Sequence, residues 1–395
     1  MLAVQEKKES CCGCTACVNI CPKKAIQMSQ DGKGFYYPEI DDNKCINCGL
    51  CRKVCNFSQF HKDETGFAKA FAVRHKCEDE VLTSRSGGFS SAMVNAVINR
   101  EGVCFGAVLT SDFEVVHQKA ENKKDCFAFK GSKYVQSRID ESIFSDCKAL
   151  LDSGRTVLFT GTGCQVHGLL SYLELSKTDH TNLITIDFVC HGVPSPEVWK
   201  AYLAEVQRNK KLRRVEFRDK ARFGWAAHME TYTYEDGTLE SNARWAEMFY
   251  QHCLFRESCY ACPYTTPYRN SDFTIGDYWG FEKTAKGFQD DKGLSLVIAH
   301  TPKAVNLLME QKDCLVIQET ELSKSLQPQL QKPVYVGVEY NRFWRKWISN
   351  KERAVSEFFF PGVCRRRYLY IANLGKKIIK KTVTLLRSVN KRDKR

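Results

Sequence analysis

Cys11-Cys12-Gly13-Cys14-Thr15-Ala16-Cys17-Val18-Asn19-Ile20-Cys21-Pro22 and Cys45-Ile46-Asn47-Cys48-Gly49-Leu50-Cys51-Arg52-Lys53-Val54-Cys55-Asn56 decide how the reading of this chain begins. Both stretches carry the spacing C-x2-C-x2-C-x3-C. A loop bearing three thiolates, each two residues from the next, can wrap one face of an iron–sulfur cubane while the fourth thiolate arrives from a distance. Where the pattern is duplicated, the fourth cysteine crosses to the other cluster. The expected ligand sets are therefore Cys11, Cys14, Cys17 and Cys55 for one 4Fe–4S cluster, and Cys45, Cys48, Cys51 and Cys21 for a second. C-x2-C pairs also hold zinc, but a duplicated three-plus-one pattern is poorly explained by it. Cys12 is surplus to both sets.

Working outward, Gly13 and Gly49 free backbone amides to point at cluster sulfurs, and Pro22 turns the chain after the crossing ligand. Ala25-Ile26-Gln27-Met28 and Phe35-Tyr36-Tyr37-Pro38 read as two short strands, giving a small dicluster ferredoxin domain over residues 1–60. A polar joint from Ser58 to Gly66 follows. From Phe67 onward, short apolar runs alternate with helical stretches. Strands are expected at Ala68–Arg74, Val103–Thr110, Thr156–Thr160, Leu183–Val189, Phe273–Ile275, Leu294–Ala299 and Leu315–Gln318. Helices are expected over Phe89–Asn99, over Gln165–Leu175 after a Gly161-Thr162-Gly163 turn, and from Pro196. Two consecutive strand–helix units imply a partly parallel sheet. The fold class is α+β: the ferredoxin domain, a larger mixed α/β domain over residues 67–335, and a basic helical extension over 336–395.

The bulk properties narrow the function. The formal charge is +13, but Cys364 to Arg395 holds 12 Lys or Arg against one Asp, so this tail alone supplies +11. The body is nearly neutral, which argues against a nucleic-acid binder. No apolar run is long enough to span a membrane, and the first ten residues do not resemble a secretory signal. A reducing cytosol is expected, where 20 cysteines mean metal or redox chemistry more than disulfides. Tyr368, Ile371, Ala372, Ile379, Val383 and Leu386 share one face of a helix with basic residues opposite. Such a helix can lie on an anionic membrane or pack against protein. Arg208 to Arg222 is also cation-rich, either a docking face for an acidic redox partner or a solvated surface.

A second group of cysteines lies outside the ferredoxin. Cys259 and Cys262 form a C-x2-C pair, half a metal site. Cys164 and Cys190 each follow a predicted strand, and in open α/β sheets such ends line one crevice. Together the four would hold a third 4Fe–4S cluster, with Cys253 as a competing ligand and a redox disulfide or zinc site as the alternatives. Cys77, Cys104, Cys126, Cys147, Cys314 and Cys364 read as isolated thiols. Three glycine-rich segments suit a phosphate or an isoalloxazine ring, or simply cap helices: Ser86-Gly87-Gly88, Lys130-Gly131-Ser132-Lys133-Tyr134, and Thr160-Gly161-Thr162-Gly163-Cys164-Gln165. None is the G-x-G-x-x-G fingerprint or a P-loop.

In order along the chain, Ser86-Gly87-Gly88, Gly131-Ser132-Lys133-Tyr134, Gly161-Thr162-Gly163-Cys164-Gln165, Cys190-His191-Gly192-Val193-Pro194-Ser195, Phe217-Arg218-Asp219-Lys220, the Cys259/Cys262 pair and Ser271 through Gly280 resemble the beta-subunit family of coenzyme F420 hydrogenases and dehydrogenases. The resemblance is to its bacterial form with a fused dicluster ferredoxin. It implies an iron–sulfur flavoprotein oxidoreductase with bound FAD, exchanging electrons between clusters and a small hydride-carrying substrate, coenzyme F420 in some relatives. Lys133, Lys220 and Asp277 are the groups expected to tune the flavin, and His191 is either a proton carrier or a core histidine. The electron source would be a soluble ferredoxin or a redox partner subunit. The competing class is a non-catalytic electron-transfer and docking subunit, which would carry clusters and no flavin.

Overall fold

The computed structural model describes residues 8–55, 57 and 66–361. The basic tail from Cys364, with the helix expected there, lies outside the described residues. In the N-terminal part, β1 (Ile26–Gln30) and β2 (Tyr36–Ile40) pair antiparallel with Ile26 opposite Ile40. Asp31 makes the turn between them, its Oδ1 accepting the amides of Lys33 and Phe35 at 3.0 Å each. The two cysteine loops share one backbone device. Thr15 and Gly49, each between the second and third cysteine of its set, cap a one-turn helix in the left-handed conformation, with φ of 66° and 75°.

The body is built on an eight-stranded mixed sheet. Its strands are β3 (Lys69–His75), β4 (Val103–Leu109), β5 (Val115–Ala120), β6 (Val157–Thr162), β7 (Leu183–Phe188), β11 (Phe273–Asp277), β12 (Ser295–Ala299) and β13 (Leu315–Thr320). The order is β13-β3-β12-β11-β7-β6-β4-β5. The central β4, β6, β7 and β11 run parallel, and the flanking strands are antiparallel. Alternation across the pleat sends Val103, Phe105, Val157 and Phe159 into one core layer and Cys104 and Leu158 into the other. β8 (Leu212–Glu216), β9 (Glu230–Tyr234) and β10 (Leu239–Asn242) form a separate antiparallel sheet, an element absent from the sequence-based expectation.

Two expectations change. The turn predicted at Gly161-Thr162-Gly163 is absent: β6 continues through Thr162 and the helix Gly163–Leu175 starts at once. The junction is held by Gln165, whose Oε1 accepts the Thr162 amide at 3.0 Å, a capping arrangement that needs no intervening loop. The segment after residue 335 is also more than an appendage. Helices Tyr340–Ser349 and Lys351–Phe359 bury Phe343, Trp347 and Phe359 in the core beside Trp199 and Trp245.

The cysteine loops pack into the body. Cys12, Cys14, Ala16 and Val54 share a core layer with Val166, Leu169 and Leu173 of helix Gly163–Leu175. Ser195 Oγ donates to Lys33 O at 2.6 Å, and Trp347 Nε1 to Gly32 O at 3.1 Å. Among the described residues no helix is long and apolar enough to cross a membrane.

Candidate functional site

The N-terminal thiols gather as two groups. Cys17 has Cys14, Cys11, Cys55 and Cys51 as charge-bearing neighbours, and burial, then Cys14, drives its thiol up. Cys51 has Cys48 and Cys45 beside it, and Cys21 packs with Cys51 around Val18 and Ile26. Cys48 is exposed whereas Cys14 is buried, so the second set faces outward and the first faces the body.

Cys164, Cys190, Cys259 and Cys262 converge on one small cavity at the carboxyl ends of β6 and β7. Burial pushes Cys190 up to about 11 and Cys262 up to about 12, with Cys164 next among the causes for Cys262. Cys164 is instead pulled down to about 7, chiefly by the neighbouring Cys12 thiol and also by the Thr162 hydroxyl at 3.2 Å. Thiols crowded in a dry site resist ionisation on their own, so these four would become thiolates together only with a bound cation to balance them. Among the described residues no three His, Cys, Asp or Glu side chains meet closely enough to hold a single metal ion; the four thiols surround a space instead. Arg256 and Arg269 border that space, and Arg269 pairs with buried Asp187 at 2.8 Å. Cys253 does not line it: fully buried beside Trp245 and Leu254, its thiol is raised to about 12 by burial. Cys12, surplus in the sequence, does line it. Nothing local in the sequence marks Cys12, because its position comes from packing against the helix Gly163–Leu175.

Beside this cavity lies a much larger one of about 1270 Å³, above the roughly 300–1,000 Å³ of an ordinary small-molecule site. Ser86, Gly88, Lys130, Gly131, Ser132, Lys133, Tyr134, Thr160, Gly161, Thr162, Gln165 and Asp277 all line it, so the three glycine-rich segments meet. Gly87, Gly163 and Lys220 do not. Gly87 is pressed against the sheet, where a Cβ would stand 2.3 Å from Val73 O. Gly163 borders the cysteine cavity. Lys220 is turned to the backbone: its Nζ donates to Val81 O, to Ser86 O at 3.0 Å and to Lys292 O at 2.9 Å. Burial lowers it to about 7. It therefore shapes the Ser86 loop rather than facing the cavity. Lys133 Nζ donates to Ala128 O at 2.8 Å and Lys130 O at 3.0 Å, and burial brings it down to about 7. His191 lines both cavities, and burial holds it down to about 4, neutral at physiological pH.

Besides lysines at its wall, the large cavity holds two arginines gathered on one carboxylate. Arg85 Nη2 and Arg218 Nη1 converge on Asp277 Oδ2 at 3.1 and 3.0 Å, and Trp225 Nε1 donates to Oδ1 at 2.8 Å. Two cations share one carboxylate, leaving a net positive charge. Arg85 Nε and Nη1 are buried with no hydrogen-bond partner, which is costly unless a ligand accepts from them. A phosphate or an anionic ring edge of FAD fits that demand. At the rim, Trp279 stacks on Trp225 at 4.3 Å and 12°. Four of the five cations of Arg208 to Arg214 pair locally instead: Arg208, Lys210, Lys211 and Arg214 meet Glu205, Asp236, Glu235 and Glu216 at 2.7 to 2.9 Å.

Residues 154–325 match the family described as the C terminus of the coenzyme F420 hydrogenase/dehydrogenase beta subunit, and residues 10–58 match the 4Fe-4S dicluster domain. Over residues 154–325 the chain is thus similar to the coenzyme F420 hydrogenase/dehydrogenase beta-subunit family. Cys164, Cys190, Cys259, Cys262, Arg218 and Asp277 all fall inside the first matched span. An uncharacterized ferredoxin of Methanocaldococcus jannaschii is 38% identical over 48 residues, 12% of this chain and 61% of that ferredoxin, so the match spans less than two thirds of it. A chain of the F420-reducing NiFe hydrogenase complex from Methanosarcina barkeri is similar over 77% of this chain and 97% of its own, at 14% identity and a TM-score of 0.45.

Proposed function

We propose that this beta-subunit homologue is an iron–sulfur flavoprotein oxidoreductase that passes single electrons between 4Fe–4S clusters and a bound FAD, which exchanges a hydride with a small-molecule substrate. One observation carries the reading: Thr162, Gln165, Cys190, His191, Gly192 and Val193 form a wall common to the dinucleotide-sized cavity and the four-thiol cavity. A flavin, when bound, supplies the junction between one-electron and two-electron chemistry. The chain's residues do the rest. Arg85 and Arg218, fixed by Asp277, offer positive charge to an anionic group, and Arg85 Nε and Nη1 offer it free donors. Neutral His191 stands between the two cavities without adding charge. The Ser86 loop is pinned by Lys220 so that Arg85 is held in place. Residues 1–60 and 67–335 would act as electron entry and flavin domains, and a cytosolic ferredoxin or redox partner subunit would supply the electrons.

Protein purified without oxygen is expected to release about one FAD per chain on denaturation. Full iron loading with no flavin, even after reconstitution with FAD, would overturn this reading and leave a docking and relay subunit. A finer expectation concerns Arg85. Arg85→Met removes charged donors whose hydrogen bonds are worth about 1.5–3 kcal/mol, so FAD titrated into flavin-free protein should bind about 10- to 100-fold more weakly. Unchanged affinity would remove Arg85 from the cofactor site.

A further inference from the structure

Arg256 is fully buried where the first cysteine loop meets the body. Its Nε donates to Cys11 O at 2.7 Å, and its Nη2 donates to Tyr36 O at 2.9 Å and reaches Cys11 Sγ at 3.5 Å. Nη1 donates to Gln136 Oε1 at 3.3 Å, and the guanidinium lies over the Tyr37 ring, 4.0 Å from its centroid. Gly13 packs so tightly on it that a Cβ would stand 3.2 Å from Nη1. Every one of these partners is neutral, and only the Cys11 sulfur can become an anion, as a thiolate; burial by itself keeps it protonated. Glu257, next in sequence, pairs with Lys33 at 2.6 Å, and among the described residues no carboxylate pairs with Arg256. Arg269, also bordering the four-thiol cavity, shows the contrast, because Asp187 neutralises it at 2.8 Å. A buried guanidinium with no anion is unfavourable, so the anion must come from the sulfur side.

We propose that Arg256 is the counter-charge of the cluster on Cys11, Cys14, Cys17 and Cys55, and that it holds this inner cluster at a higher reduction potential than the outer one on Cys45, Cys48, Cys51 and Cys21. The proposal rests on the cluster assignment of the preceding subsections. A cubane with four thiolates is negative in both redox states and gains one more negative charge on reduction. A fixed cation, with an N–H aimed at a ligand sulfur, therefore favours the reduced form. Among the described residues the outer set carries no such residue: Cys48 is exposed, and the nearby Arg52 and Lys53 face solvent. The resulting gradient draws an electron from the exposed loop inward, toward the four-thiol cavity that Arg256 also borders. Arg256 touches no substrate, so it is a positioning residue that acts through the cluster.

The test is an EPR-monitored redox titration of the full chain, purified without oxygen, with Cys48→Ser and Cys259→Ser each removing one other signal for assignment. In Arg256→Met the inner cluster's reduction constant should fall at least tenfold, about 59 mV for one electron. The outer cluster's potential and the iron content should not change. Arg256→Gln, neutral but still able to bond Cys11 O and Tyr36 O, should move the potential in the same direction. A loaded Met or Gln variant with a wild-type inner potential overturns the proposal. Should both neutral variants lose iron, Arg256→Lys decides: retained iron supports a requirement for charge, and loss in all three overturns it in favour of packing. Wild-type protein without the two ferredoxin signals would be a different result, sinking the cluster assignment itself.

Discussion

Cys259→Ser is expected to strip the chain of one cluster's worth of iron, about a third of the total for three clusters, while the two ferredoxin EPR signals persist. The four thiols on the small cavity come from three separate places: the start of the helix after β6, the segment after β7, and the Cys259/Cys262 pair. Burial above all drives Cys259 well above the ordinary thiol range, with Cys190 and Cys262 as its nearest charged neighbours. Only a bound cation makes four thiolates tolerable there, and a serine hydroxyl is a poor substitute for a soft sulfur ligand. Two controls sharpen the outcome. Cys253→Ser should keep all the iron, because that thiol sits among aromatic side chains away from the cavity. Cys12→Ala should also keep it if Cys164 is the fourth ligand. Full iron in Cys259→Ser, or iron loss in Cys253→Ser, would discard the four-cysteine set.

The contrast between what is and is not legible in the chain follows from sequence separation. A cluster loop is a local object: the spacing of Cys11, Cys14 and Cys17 is itself the geometry, so the N-terminal sets are visible in the sequence alone. A strand such as Val103–Leu109 is a continuous apolar run, the signature of a buried parallel strand. β8 and β9 are hidden because Leu212-Arg213-Arg214-Val215-Glu216 and Glu230-Thr231-Tyr232-Thr233-Tyr234 are rich in charge and hydroxyls, and their burial comes from Trp199, Trp245 and the helix Lys351–Phe359. The glycine-rich segments announce an anion or ring site, but not the carboxylate charge that gathers its arginines. That charge is a long-range fact, since Arg85 and Arg218 reach Asp277 from 192 and 59 residues away. Lys220 misleads for the converse reason: a lysine in a motif looks available, and only the structure shows three carbonyls occupying it. Arg256 and Cys12 belong to the same class, ordinary residues made consequential by the packing of the cysteine loops on the body.

Asp277→Ala should be the most damaging single change in the large cavity, destabilising the body by about 3–5 kcal/mol. Its carboxylate is 12% exposed, and the arginines it joins are 10% and 6% exposed. Removing it strands two buried guanidinium groups facing one another and frees the Trp225 indole that its other oxygen holds. For a body of this size the loss corresponds to a fall in melting temperature on the order of 10 °C, read by thermal unfolding of the flavin-free protein so that cofactor loss does not enter. The cause is charge, and a double-variant cycle shows it. Arg85→Met in the Asp277→Ala background removes one of the stranded cations, so the pair should be less damaging than the two single changes summed, with a coupling of about 0.5–3 kcal/mol. Additive effects would mean that Asp277 acts through shape rather than charge. Asp277 would then no longer be the residue that keeps two arginines together at the cofactor cavity.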